Sequence, residues 1–195
     1  MISAIVLAAG ASQRMGRPKL LLPLGDELVI ERVVRTVTAA DVDETIVVIG
    51  SRRAEMEQVL APLPVRVVFN PDYVWGEMLS SIQVGLRAAS STAIAALIVL
   101  GDQPRVAVGT LNQILVALRE GHDRICLPTF GGRRGHPIGL SRRFWPEVLA
   151  LKKGSSLREL VRRHQDAVLE IPVLDDAILS DMDTPQEYER LLGCK

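Results

Sequence analysis

The sequence predicts an α/β fold built on one doubly wound, mostly parallel sheet, and three observations carry that expectation. Short aliphatic runs alternate with segments of helical period from end to end of the chain. Hydrophobic residues make up 48% of the composition and aromatics only 4%, so the core must be built from Val, Ile, Leu and Ala, as suits strands buried under helices on both faces. No Ser-, Pro- or charge-rich linker divides the 195 residues, so residues 1–195 are expected to form a single domain.

The strand candidates are Ile2 to Leu7, Thr45 to Ile49, Val65 to Phe69, Ile94 to Leu100 and Ile125 to Leu127, each bounded by Gly, Pro, Asn or Asp. Between them, Val29, Ile30, Val33, Val34 and Val37 form one apolar helical stripe, and Leu111, Ile114, Leu115 and Leu118 form another. A third helix, after Gly76, is marked by Met78, Ile82, Leu86 and Ala89. Gly131 to Arg143 reads as an extended loop or hairpin, Ser155 to Arg163 as a helix capped by its polar start, and Asp183-Thr184-Pro185 as the opening of a last helix. In a sheet of this kind ligands bind at the carboxyl ends of the strands.

Composition also excludes. Twenty-three Lys plus Arg balance 23 Asp plus Glu, which leaves no global field to draw the chain onto nucleic acid or an anionic membrane. Mean hydropathy is +0.21, yet the longest apolar run, Ala93 to Leu100, is far short of the roughly 20 residues that span a bilayer. The apolar start has no basic segment before it and reads as a buried strand, not a cleaved leader. Two cysteines, Cys126 and Cys194, are too few for a disulfide framework or a zinc cluster, and a reducing cytosol fits best.

The most informative segment is Leu7-Ala8-Ala9-Gly10-Ala11-Ser12-Gln13-Arg14-Met15-Gly16-Arg17-Pro18-Lys19, directly after the first strand. Its spacing fits neither G-x-x-x-x-G-K-[ST] nor G-x-G-x-x-G. What remains is a turn of small residues that lets backbone approach a base or phosphate, with Arg14 and Lys19 to neutralise a polyphosphate. A solvated surface turn is the plainer alternative. Asp102 follows the apolar strand at its carboxyl end, where it is either the cap of a helix from Val106 onward or, beside a polyphosphate, a ligand of Mg²⁺. Magnesium asks for one or two carboxylates, so a second acid should converge on Asp102. Ser80 and Ser81 lie near the start of the third helix, as caps or as partners of an anion. Thr129 to Arg143 carries four arginines and no acid, a flexible cationic arm without the aromatics of a single-strand binder. His122 and His164 sit at polar helix ends with no assigned role, and Cys126 reads as a small core side chain.

Residues 7 to 19 match the signature LAAGxSxRMGxxK throughout, and on that segment the chain resembles the nucleotidyltransferases of the molybdenum cofactor family. Asn70-Pro71, Gly76 to Ser81, Gly101-Asp102-Gln103-Pro104, Arg134-Gly135-His136-Pro137 and Asp181-Met182-Asp183-Thr184-Pro185 follow in the family's order, so the resemblance covers nearly the whole chain. Glu77 and Leu79 depart from the Gly-Met-Ser-Ser-Ser usual in that stretch. Ala8-Ala9-Gly10, where the guanylyltransferase branch has Ala-Gly-Gly, looks most like the cytidylyltransferase branch.

The resemblance implies a nucleoside triphosphate, CTP, along the first loop. Leu7, Ala8, Ala9, Gly10, Ser12, Arg14 and Lys19 would contact it, with the base toward Asn70, Ser80 and Ser81. Arg14, Lys19 and Asp102 would carry catalysis. Asp102 and Asp183 would hold Mg²⁺, while Asp181 would cap or support. Arg134 and His136 would meet a molybdopterin-type acceptor bearing a terminal phosphate, and a molybdoenzyme would be the client. Two alternatives stay open. One is a sugar-nucleotide transferase or glycosyltransferase using Asp181-Met182-Asp183 as a D-x-D motif; the other is a non-catalytic chaperone that carries the cofactor.

Overall fold

A computed structural model describes residues 1–12, 15–75, 77–121 and 123–193, without the side chain of Glu77. Arg14, Gly76, His122 and Cys194, all singled out above, lie outside the described residues.

The elements run β1 (Ile2–Ala8), β2 (Pro23–Leu24), β3 (Glu27–Leu28), α1 (Val29–Thr38), β4 (Glu44–Ile49), α2 (Arg53–Leu60), β5 (Arg66–Phe69), α3 (Glu77–Ala88), β6 (Ala95–Leu100), α4 (Val108–Glu120), β7 (Ile125–Phe130), β8 (Arg133–Arg134), β9 (Ile138–Ser141), α5 (Trp145–Ala150), α6 (Leu157–Arg163), β10 (Val168–Pro172) and α7 (Pro185–Gly193). The described residues form an eight-stranded sheet of order β10-β7-β9-β6-β1-β4-β5, with β8 paired to β7, and a separate β2-β3 ribbon. β1 pairs in parallel with β4 and β6, β4 with β5, and β7 with β10. Only β8 and β9, among the described strands of this sheet, run antiparallel to their neighbours.

Strand alternation sorts the core into two faces. Ile2, Ala4, Val6 and Ala8 of β1 pack with the Val29 to Val37 stripe of α1, with Met56 of α2 and with Leu111 to Leu118 of α4. Ile5 of β1, Ile46 and Val48 of β4 and Ile98 of β6 pack under α3, α5 and α6. All nine residues of the two expected stripes on α1 and α4 are buried. From β1 the chain winds outward to β4 and β5, then returns to β6 on the other side of β1. The crevice beyond the carboxyl ends of β1 and β6 is therefore the topological switch point.

Three local readings change, and β10 and the β2-β3 ribbon are additions to them. The buried face of α3 runs through Leu79, Ile82 and Leu86, while Met78 is 48% exposed, because one residue of offset turns a helical side chain by about 100°. The stretch after β7 is a hairpin as expected, closed by Gly131 and Gly132, whose φ values of 56° and 74° suit the two-residue turn with both central residues left-handed. It is not a flexible arm throughout, since β9 is fully buried between β6 and β7. β10 and the β2-β3 ribbon had no expectation; β10 is a half-buried edge strand whose Glu170 and Pro172 hide its period. The helix after Asp102 begins at Val108 with Ala107 at its N-cap, so Asp102 does not cap it.

α6 and α7 start as their sequences suggest. Ser156 and Glu159 form a capping box at α6. At α7 the Glu187 amide donates to Thr184 Oγ1 (3.3 Å), while Glu187 Oε2 accepts from the Thr184 amide (2.8 Å). Cys126 is buried with its thiol pushed up to about 11, as a core side chain. His164 lies 2.6 Å from Glu147 Oε2 and edge-on to Phe144, a packing role.

α3 sits close to β1 because Gly85 has no side chain: a Cβ there would lie 2.3 Å from Cγ2 of the buried Ile5. Gly85→Ala should therefore destabilise the fold by about 1–3 kcal/mol despite the better helix propensity of alanine. Gly109→Ala in α4, where a Cβ meets nothing within 4 Å, should be neutral or stabilising by up to about 1 kcal/mol. The pair of urea unfolding midpoints checks both.

Candidate active site

At the switch point the ends of β1 and β6 lie level, with Leu7 opposite Leu100 and the Gly101 amide donating to the Leu7 carbonyl at 3.0 Å. This registration sets the loop after β1 beside Asp102. Within the loop Ser12 takes a left-handed backbone (φ 52°), its hydroxyl accepts from the Lys19 amide at 3.1 Å, and Lys19 to Leu21 turn as a short 3-10 helix. Leu20 is buried against the core, which fixes the backbone that carries Lys19.

The Lys19 ammonium donates to Asp102 Oδ2 and, at 2.8 Å, to Asp183 Oδ1. Three segments far apart in the chain thus meet on one nitrogen. Their side chains are 14%, 17% and 26% exposed, so the cluster is partly shielded from water yet open on one side. Burial alone would lower the Lys19 pKa, but the Asp102 and Asp183 carboxylates outweigh it and hold the ammonium above its ordinary value. The Asp183 backbone is fixed in turn by Glu187, whose Oε2 accepts from the Asp183 amide (2.8 Å), the Thr184 amide (2.8 Å) and Thr184 Oγ1 (2.9 Å).

Asp181 is set apart from Asp183 by the buried Met182. It accepts from Gln103 Nε2 at 2.7 Å, and the same amide donates to the Ile178 carbonyl at 3.3 Å. Burial, with the charges of Asp102 and Asp183, raises the Asp181 pKa. His136 stands near Asp102. Burial pushes its imidazole down to about 4, against the pull of Asp102, and its amide donates to Ile178 O at 3.0 Å. Arg134 faces the other way: its guanidinium pairs with Glu170 at 2.7 Å and reaches Gln165 at 3.4 Å, on the β10 side.

Asn70, Ser80 and Ser81 form a compact joint. The fully buried Asn70 donates to both hydroxyls, at 2.8 and 3.0 Å, and accepts from the Asp72 amide at 3.0 Å. A cavity of about 220 Å³ lies instead between the first loop and the β4-α2 turn, lined by Ala8, Gly10, Ser12, Pro18, Ser51 and Arg52. Ala9, 5% exposed, is not in its lining and holds the turn through its carbonyl, which accepts from the Ser51 amide at 3.3 Å. Leu7, within β1, is partly buried under the α3 face.

The structure therefore joins Lys19, Asp102 and Asp183, brings His136 alongside, gathers Asn70 with Ser80 and Ser81 as a second group, and leaves Arg134 outside both. Sequence reasoning passed over Gln103, Glu187, Ser51 and Arg52. The T-x-x-E spacing of Thr184 and Glu187 is a readable capping signal, and Gln103 stands within the Gly101-Asp102-Gln103-Pro104 match; Ser51 and Arg52 carry no signal.

Residues 4–168 match the MobA-like NTP transferase domain. The chain belongs to this family. Among relatives of the MobA-like family, the purine catabolism protein PucB of Bacillus subtilis is 34% identical, covering 95% of this chain and 93% of its own. Nicotine blue oxidoreductase of Paenarthrobacter nicotinovorans is 30% identical over 98% and 96%. Molybdenum cofactor cytidylyltransferase of Escherichia coli is 26% identical over 96% and 93%. The structure of Rv0371c from Mycobacterium tuberculosis in complex with manganese superposes with a TM-score of 0.84, at 29% identity and covering 100% and 99% of the two chains.

Among the described residues no group of three or more His, Cys, Asp or Glu is placed to hold a metal ion. Two carboxylates on one ammonium do fit a cation that takes one or two carboxylates and fills its remaining sites with phosphate and water, as Mg²⁺ does. Also among the described residues, no helix is long and apolar enough to cross a membrane.

His136 supplies a pH prediction. Unfolded, its imidazole takes a proton near pH 6.5; folded, only near 4. Between those values the unfolded state binds more protons, so stability falls as pH drops through that window and is unaffected above it. His136→Asn should flatten that slope of unfolding free energy against pH by up to about one proton, read from urea unfolding at a series of pH values.

Proposed function

We propose that this nucleotidyltransferase of the MobA-like family moves a nucleoside monophosphate, CMP from CTP, to the terminal phosphate of a molybdopterin-type acceptor and releases pyrophosphate, working in the cytosol ahead of a client molybdoenzyme. The observation that carries the reading is the meeting of Lys19, Asp102 and Asp183 under the loop that follows β1. Such a loop offers backbone N–H groups and cations to a polyphosphate, and the acids beside it offer a seat for its metal. The CTP preference is supported by Ala8-Ala9-Gly10 and by the cytidylyltransferase relative.

In this reading the chain's work is positioning and electrostatics, not covalent catalysis. Ala8, Gly10 and Ser12 hold the nucleotide along the loop, with Leu7 and Ala9 beneath. Asn70, Ser80 and Ser81 fix the wall formed by the start of α3. Arg14 and Lys19 stabilise the leaving pyrophosphate. Mg²⁺, held by Asp102 and Asp183, would neutralise charge on the reacting phosphates. An oxygen of the acceptor phosphate bonds to the α-phosphorus as the bond from that phosphorus to the α,β-bridging oxygen breaks, and pyrophosphate keeps the electron pair. A phosphate monoester with its second pKa near 6 is already largely dianionic at neutral pH, so no side-chain base is needed. His136, uncharged at that pH, is left to orient the acceptor. Arg134 serves the acceptor only if it leaves Glu170.

The relative named as an oxidoreductase favours a second reading, redox turnover. The loop lacks the G-x-G-x-x-G that seats a dinucleotide. A screen of the four ribonucleoside triphosphates for metal-dependent pyrophosphate release against phosphorylated acceptors, run beside an assay of nicotinamide cofactor oxidation, separates the two. The expected result is pyrophosphate release with CTP and a pterin acceptor, and no cofactor oxidation.

Asp102→Asn keeps the shape of the side chain and removes the anion, so kcat should fall by about 10²–10³, as should that of Lys19→Ala, with the fold intact by circular dichroism. Normal activity and normal Mg²⁺ dependence in Asp102→Asn would remove it from the metal site. Wild type should prefer CTP to GTP. Ala9→Gly should shift the ratio of kcat/KM toward GTP by an amount set by one methyl group, about 10–200-fold at most.

A further inference from the structure

Lys19 is asked to serve two partners. The proposed chemistry wants its ammonium on phosphate, whereas the structure sets it on both acids expected to hold the metal. We propose that Lys19 is a built-in counter-ion of the metal site, so that the site accepts a metal–triphosphate complex and discriminates against the free divalent ion.

The argument is one of charge and geometry. One nitrogen bonds an oxygen from each of Asp102 and Asp183, so a metal held by these acids would compete with the ammonium for their oxygens. A free divalent ion would have to push Lys19 off both carboxylates and leave a cation, only 14% exposed, beside a second cation. A triphosphate on the loop removes that obstacle. Ser12 and the 3-10 turn hold the Lys19 backbone between the loop and the acids, so a change of side-chain rotamer exchanges one set of oxygens for the other. Phosphate then gains a cation in the same movement that frees the carboxylates. The two ligands are thereby coupled, and by linkage each must raise the affinity for the other by the same factor.

This inference rests on the proposed metal and nucleotide assignment, and its test separates the two. Mn²⁺ binding to the intact protein is measured by loss of the free-ion paramagnetic resonance signal, with and without a non-hydrolysable CTP analogue, each against a protein-free sample so that Mn²⁺ held by the analogue alone is subtracted. Wild type should bind Mn²⁺ weakly alone and about tenfold or more tightly with the analogue, within the range usual for coupled ligands. Lys19→Met should bind Mn²⁺ about tenfold or more tightly than wild type without nucleotide, and lose most of the coupling. Lys19→Arg, which keeps the charge, should stay near wild type. Equal Mn²⁺ affinity in wild type and Lys19→Met would overturn the proposal, as would a wild-type affinity indifferent to the analogue, which stands as the test even if Lys19→Met does not fold. If Mn²⁺ binding to Lys19→Met survives the added Asp102→Asn, the metal sits elsewhere, and the site assignment itself falls together with the inference.

Discussion

The site depends on β1 being hydrogen-bonded on both sides, to β4 and to β6, in registers that end together. Leu7 lies opposite Val48 on one side and Leu100 on the other, so the turns that leave these three strands emerge at one level. The Leu7 carbonyl then accepts from Gly101 and the Ala9 carbonyl from Ser51, two bonds that hold the start of the first loop against its neighbours. A slip of one residue in either register would turn the buried sets of β1 to the wrong faces and pull Asp102 out of line with the loop. The buried, two-faced packing of β1 is thus what makes the geometry of the polar cluster reproducible.

On that frame the polar residues are held by one another. Glu187 gathers the amides of Asp183 and Thr184, Gln103 gathers Asp181 and the Ile178 carbonyl, and Lys19 gathers Asp102 and Asp183. Two like unit charges about 5 Å apart repel by about 3 kcal/mol at an effective dielectric of about 20, so paired carboxylates at a strand end need a cation between them. In this structure that cation is Lys19. The elements that supply Lys19 and Asp183, a 3-10 turn and the entry to α7, are anchored by Leu20 and Met182, both buried in the same face of the core.

Family membership narrows the chemistry to nucleotidyl transfer. Relatives that span nearly the whole chain carry names from purine catabolism, from nicotine blue reduction or oxidation, and from molybdenum cofactor synthesis. What they share with this chain is sequence similarity over nearly its whole length. In this chain the cavity beside Ser51 and Arg52 and the joint at Asn70 are lined by separate residues, and function resides in such sites, not in the fold that carries them.

The sequence by itself determined the sheet, its central strands, the stripes of α1 and α4, and the starts of α6 and α7, because these follow from period, composition and capping chemistry that act over a few residues. It also marked Lys19, Asp102 and Asp183 separately, through loop chemistry, strand-end position and family likeness. Only the tertiary structure decided that the three share one nitrogen, that Arg134 turns to Glu170 while His136 turns inward, and that β9 is buried between two strands. Those outcomes depend on contacts between residues tens of positions apart, and neither local spacing nor charge carries information about which distant partner a side chain will meet.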